Sequence, residues 1–191
     1  MISALPVRTA QSAQLPLTFQ AVVGSLRTRA TEQSAEGKEI LRLMRAARDR
    51  VEAYTHQQLM EAEYTLTLQG WWNGEMIFSV VPFGKPSDVK VSYLDSEGNI
   101  QDLAMNRFRA RKISDKQGVV RLVGTESFPD TDEVTITFKA GYPSANEIPA
   151  DLIDAMYLFI QERYANRADT PDEKTRTSET LMNPHVWPVI A

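Results

Sequence analysis

Between residues 132 and 142 apolar and polar positions alternate strictly, with Val134, Ile136 and Phe138 on one side and Thr135, Thr137 and Lys139 on the other. A period of two with one apolar side predicts a strand lying on a core. Gly141 and Pro143 end it, the first because it tolerates positive φ and the second because it has no amide hydrogen to donate. Pro149 then opens a helix: proline in a first turn sacrifices no hydrogen bond, and Asp151 and Asp154 sit at the positive end of the helix dipole. Two apolar rows follow, Leu152, Met156 and Phe159 in one and Ile153, Tyr157, Ile160 and Tyr164 in the other. An apolar arc of that width meets neighbours on two sides. These are either a sheet and a helix of the same domain or, along the row of Met156 and Phe159, an adjacent subunit.

Upstream, residues 1–17 lack any period and carry Pro6 and Pro16, which predicts an irregular N-terminal arm. Thr18 is placed to cap a short helix whose face is Phe19, Val22, Val23 and Leu26. After a loop over 28–37, Ile40, Met44, Ala47, Val51 and Tyr54 recur at helical spacing. The other side of that helix is charged: Arg42, Arg45, Arg48 and Arg50 with Asp49 and Glu52. These form a solvated face of local ion pairs or a seam for another subunit or an acidic partner.

From Glu61 the period becomes two. Tyr64, Leu66 and Leu68 make one run and residues 76–81 a second, with Trp71, Trp72, Asn73 and Gly74 between them. Asn-Gly is a favoured hairpin turn, so these runs are expected to pair, one tryptophan in the core and the other near the rim. Further strands are predicted around Val89, Val91 and Tyr93, from Ile100, over 108–113 and over 119–123, with turns between. The pattern as a whole predicts an α+β fold. N-terminal helices over 18–57 and a C-terminal helix over 149–167 pack together, a mainly antiparallel β region over 61–142 is inserted between them, and 18–167 form one domain. The tail, 168–191, is polar at first and then apolar at Leu181, Met182, Val186, Trp187, Val189 and Ile190, with Pro184 and Pro188 between. Such an end is expected to fold back on its own domain or to dock on another protein.

Composition narrows the chemistry. Apolar residues at 42% and charged residues at 24% are those of a globular protein, and no apolar run reaches the length of a membrane span. No basic start followed by an apolar run opens the chain, so synthesis in the cytoplasm is expected. Without cysteine there are no disulfides, thiol nucleophiles or cysteine-ligated zinc. The two histidines, His56 and His185, lack ligand spacing, and no phosphate loop, nucleophile elbow or kinase signature occurs. Asp95, Glu97, Asp102, Asp130, Asp132 and Glu133 flank turns, where acids serve the backbone. No catalytic residue, cofactor or metal is therefore expected. A net charge of −4 gives no general attraction to nucleic acid. A different class remains open, a carbohydrate-binding or host-recognition module using Trp71, Trp72 and Tyr93 on an exposed sheet face.

Several short words recur in one order along 15–167. They are Leu15-Pro-Leu-Thr18; Val51-Glu52-Ala53-Tyr54-Thr55; the strand with tryptophan, 64–72; Val91-Ser92-Tyr93-Leu94-Asp95-Ser96-Glu97-Gly98; Ala140-Gly141-Tyr142; Pro149; and Tyr164-Ala165-Asn166-Arg167. In this order the chain resembles the head-tail connector, or adaptor, proteins of long-tailed bacteriophages. The resemblance implies a non-enzymatic virion protein, made in the bacterial host. It would form a ring of about a dozen copies at the head-tail interface, beneath the portal, with a monomer compatible with the free state. It also implies as partners the portal, a stopper or tail-completion protein, and DNA passing without sequence-specific contact. On that reading the tail, through Leu181, Met182, Pro184 and Trp187, is expected to dock the portal. Arg42, Arg45, Arg48, Met156 and Phe159 are candidates for the seam between subunits.

Overall fold

The computed structural model describes residues 5–124, 127–165 and 175–188. The fold is α+β, and its contacts divide it into two compact units. Among the described residues, one comprises those up to Ser12 together with Glu61–Gly141; the other comprises Ala13–Met60 and those from Tyr142 to 188. The β segment and the helices each enclose a core of their own.

The β unit contains β1 (Val7–Gln11), β2 (Ala62–Leu68), β3 (Glu75–Ile77), β4 (Lys90–Leu94), β5 (Ile100–Asp102), β6 (Phe108–Lys112), β7 (Gly118–Leu122) and β8 (Val134–Ala140). They form a five-stranded sheet in the order β1-β2-β8-β4-β5 and a three-stranded sheet in the order β3-β7-β6, with every pairing antiparallel. Strand β8 is central, and its alternation is kept: Val134, Ile136, Phe138 and Ala140 are wholly buried while the residues between them are half-buried. Tyr64 lies opposite Phe138, and both Leu66 and Val91 lie opposite Ile136. Phe138 anchors an aromatic cluster, with its ring 4.3 Å from Phe78 and 5.8 Å from Tyr64, while Phe78 and Phe83 stack at 4.9 Å. Gly118 makes room for this stack, since a Cβ there would lie 2.3 Å from the Phe83 ring.

The hairpin expected between residues 64–68 and 76–81 does not form. Gly74 takes a positive φ and turns the chain, but β3 pairs with β7, Met76 facing Val120. Both edges of β2 are already taken, by β1 and β8. A turn dipeptide fixes only the local bend, and the choice of partner falls to long-range pairing. The arm over 1–17, read as irregular, likewise contributes a strand. Positions 7–10 of β1 are exposed, so no alternation marks it, and main-chain bonds to β2 hold it as an edge. The β4–β5 hairpin forms as expected around Asp95. One of its carboxylate oxygens accepts from the amides of Glu97 (3.0 Å) and Asn99 (2.9 Å), the other from Gln101 Nε2 (2.9 Å), and Gly98 takes a φ of 82°. The Gln101 bond first, then the Asn99 amide, holds this carboxyl below its ordinary value.

The helical unit contains α1 (Phe19–Leu26), α2 (Ala35–Thr55), α3 (Ala150–Ala165) and α4 (Thr175–Met182). Thr18 caps α1 through a bond from the Ala21 amide, and Ser34 caps α2 through one from Gly37, so α2 starts inside the stretch read as loop. Val22, Ile40, Leu43, Met44, Ala47, Val51, Leu152, Ala155, Met156 and Ile160 build the core with Met182. Among the described residues no helix is long and apolar enough to cross a membrane.

Phe83 is sealed and stacked on Phe78, so it cannot withdraw from a new methyl group. Gly118→Ala is expected to lower stability by about 1–3 kcal/mol in urea unfolding; an unchanged midpoint would mean that the stack yields.

Candidate interaction site

The end of α2 gathers most of the polar side chains that the helical unit buries. Val51 enters the core, and the Thr55 hydroxyl donates to its carbonyl at 2.7 Å. Glu52 accepts from Gln58 Nε2 at 2.7 Å and from the Leu59 amide at 3.0 Å, which ties down the chain just beyond the helix. His56 ends α2 in the left-handed conformation. Gln57 and Gln58 are 2% and 4% exposed, burial that an amide tolerates only when partnered. Gln57 Nε2 donates to the His185 carbonyl, and its oxygen accepts from the Tyr142 hydroxyl at 3.3 Å. Burial raises the Tyr142 pKa above its ordinary 10.0.

The described tail closes on this region. The Trp187 amide donates to the Thr55 carbonyl at 2.8 Å, and the Tyr54 hydroxyl donates to Asn183 at 2.6 Å. Arg50 pairs with Glu179 at 2.8 Å, and His185 Nε2 lies 3.2 Å from Asp151 on α3. Met182 is 1% exposed within the shared core. Its side chain is thus committed to the core of its own unit, whereas the sequence led us to expect it as an anchor for the portal. Leu181 is half-buried against the same core, Trp187 is half-buried, and Pro184 is exposed. Val189 and Ile190 lie outside the described residues.

The seam candidates divide in the same way. Met156 is wholly buried and offers nothing to a neighbouring subunit, whereas Phe159 is half-buried on the core with Arg163 over its ring. Arg42 is exposed and forks onto Glu39 three residues earlier, Arg45 is exposed, and Arg48 is largely covered and bonded to Asp49. The Tyr164 hydroxyl bonds Glu36 at the start of α2, linking the two helices; Arg167 lies outside the described residues. Gly141 takes a φ of 107° and donates to the Pro82 carbonyl, the Tyr142 amide donates to Leu59, and Pro149 immediately precedes α3.

Trp71 packs against Phe128 (5.0 Å) and Tyr93 (5.5 Å), and its indole N–H donates to the Pro129 carbonyl at 2.8 Å. Trp72 is half-buried on the same core, and its indole nitrogen is enclosed. A sugar platform needs an open aromatic face, and neither indole is exposed. Among the described residues no cluster of three or more acidic or histidine side chains could hold a metal ion.

Two features escaped the sequence reading: the buried Gln57–Gln58 pair and an arginine face on the three-stranded sheet. The first has a weak signal, two glutamines running straight into Leu59 and Met60 without a turn residue. The second could have been found from Arg109 and Arg111 standing two apart on a strand.

No protein-family model matches the chain, and no curated protein does. Its fold is shared with chains of solved gene transfer agent (GTA) particles. One, from the neck of an empty GTA particle computed with C6 symmetry, aligns at a TM-score of 0.73 and 20% identity over 95% of this chain and 96% of that one. Another, from the virion of a native GTA particle, gives 0.75 and 20% over 100% and 98%. A third, from the neck of a native GTA particle computed with C12 symmetry, gives 0.66 and 20% over 95% and 96%.

Removing the Met182 side chain empties a sealed site, so Met182→Ala is expected to lose about 2–5 kcal/mol by denaturant titration. Truncation that removes 168–191 should destabilise the helical unit still further; full stability in either variant would show that the tail only rests on the surface. The buried Tyr142 hydroxyl gives a pH dependence of known sign. Its raised folded pKa means the neutral form is preferred in the native state. Stability from this group is full below 10.0 and is lost as pH rises from there through the folded value. Thermal unfolding across that range should flatten in Tyr142→Phe relative to the parent, and equal slopes would remove Tyr142 as the cause.

Proposed function

We propose that this chain is a structural subunit of the neck of a phage-like particle, a head-tail connector that forms a ring beneath the portal and extends the DNA exit channel. The carrying observation is the fold shared with GTA neck and virion chains, which runs through both units at 95–100% coverage of this chain. Support also comes from the words that resemble connector proteins, because they fall at structural joints. Tyr54 and Thr55 tie the end of α2 to the tail, Tyr164 ties α3 to α2, Tyr142 bonds Gln57 just past α2, and Asp95 and Gly98 build one turn.

On this reading the rotational symmetry of the neck asks each copy for two complementary surfaces. Portal docking by the tail falls to Leu181, Pro184 and Trp187 with the exposed Val186, since Met182 serves the core. A stopper or tail-completion protein would meet the ring on its other side. The net charge of −4 suits a conduit, because extensive phosphate contacts would hold DNA that has to move.

Native mass spectrometry over a wide concentration range, with negative-stain images, tests the reading. A ring of about a dozen subunits, alone or on co-expressed portal, is the expected result. A chain that stays monomeric alone and also fails to co-purify with the portal of its own particle would overturn it.

A further inference from the structure

The three-stranded sheet has one face on the core, through Phe108, Ala110 and Val120. Because side chains alternate along a strand, Arg109 and Arg111 of β6 and Arg121 of β7 stand on the other face. Arg109 lies directly opposite Arg121 in the register. Like charges in that position cost stability, so folding alone does not favour the pair. Glu75 on β3 bonds Arg111 at 2.9 Å, which leaves three arginines against one carboxylate. Among the described residues neither Arg109 nor Arg121 has an ion-pair partner. All three arginines are exposed, and they line a groove of about 500 Å³ with the apolar Met105 and Pro86. From 103 to 114 the sequence contains no acidic residue.

The same unit carries the opposite charge on its other sheet. The Leu94 amide donates to the Glu133 carbonyl at 3.1 Å and Tyr93 pairs with Val134, which sets the β4–β5 turn beside the approach to β8. Glu97, Asp130, Asp132 and Glu133 are all exposed there. Neither 95–102 nor 127–134 contains a lysine or arginine, and Arg107 reaches the start of the second segment through the Ser127 carbonyl at 3.1 Å.

We propose that the arginine face of one copy receives this acidic edge of the next, a head-to-tail contact between β units that repeats around a ring. The inference rests on the ring reading above and names a surface for it. Two different, complementary patches on one molecule make a heterologous contact, which closes into a ring when its rotation allows. An arginine fork fits phosphate as well as carboxylate, but the chain itself supplies the matching carboxylates and is acidic overall. The partner is therefore a second copy rather than nucleic acid. The exposed Met105, with Pro86 beside it in the lining, gives the contact an apolar part that salt does not screen.

The test is sedimentation and native mass spectrometry of the full chain at low and high salt, with charge reversals on each side. Arg109→Glu with Arg121→Glu should weaken association about tenfold or more, as should Asp132→Lys with Glu133→Lys. An equimolar mixture of the two variants should recover association, since the reversed face of the first meets the reversed edge of the second and the parental face of the second meets the parental edge of the first, so that every heterotypic contact joins opposite charges while homotypic contacts repel. All four substitutions in one chain should restore association, because both faces are then reversed together. Circular dichroism and unfolding midpoints near the parent's confirm that the variants fold. If rings form and ignore both reversals, this contact is wrong while the connector reading stands. If the parent does not associate at low salt, the contact is overturned, and co-purification with the portal decides the connector reading separately. If the arginine reversal abolishes binding of a random-sequence duplex DNA and leaves association unchanged, the face belongs to nucleic acid.

Discussion

The helical unit depends on a chain end returning to its core. Met182 fills a site among α2, α3 and their neighbours, and the residues around it bond main chain to main chain, Trp187 to Thr55, and side chain to main chain, Gln57 to His185. Two buried glutamines are acceptable there only because the tail and Tyr142 satisfy Gln57 and Glu52 satisfies Gln58. The tail is thus part of the fold that any partner would meet, rather than a peptide held in reserve for one. What it can offer a partner is its outer side, Pro184 and Val186, already positioned by the clasp.

The β unit follows a different principle. Its core is organised by β8, whose buried face meets β2 and β4 on either side and whose Phe138 anchors the aromatic stack. Its surface is sorted by charge, with arginines on the small sheet and carboxylates at the turn end of the large one. Sorting of this kind sets Arg109 opposite Arg121, which costs a lone chain stability. It is what heterologous assembly uses, since electrostatic complementarity fixes which patch meets which and discourages like patches from meeting.

Much of this was legible in the sequence because it is local. Strand β8 and helix α3, the caps at Thr18 and, through its spacing, the face of α2, and the turn at Asp95 all follow from periods and backbone preferences within a few residues. The same locality explains the failures. Asn73-Gly74 specified a bend but could not say that β2 had its edges filled by β1, some 55 residues earlier, and by β8, some 70 later. Strand β1 shows no alternation because neither of its faces is buried. Met182 and Met156 looked like interface residues because an apolar side chain on a polar segment or a second apolar row has the same signature whether its cover comes from its own chain or another.

The sequence by itself determined the element types, the α+β class with its β segment between helices, the lack of cysteine chemistry and the main turns. Only the tertiary structure decided which strands pair, that the tail belongs to the helical core, that Gln57 and Gln58 are buried with partners, and that charge is sorted between the two sheets. The physical reason is that backbone preference and periodicity act over one or two turns of chain. Burial, strand pairing and charge clustering are set instead by residues brought together from distant positions, as Tyr54 and Asn183, 129 apart, are.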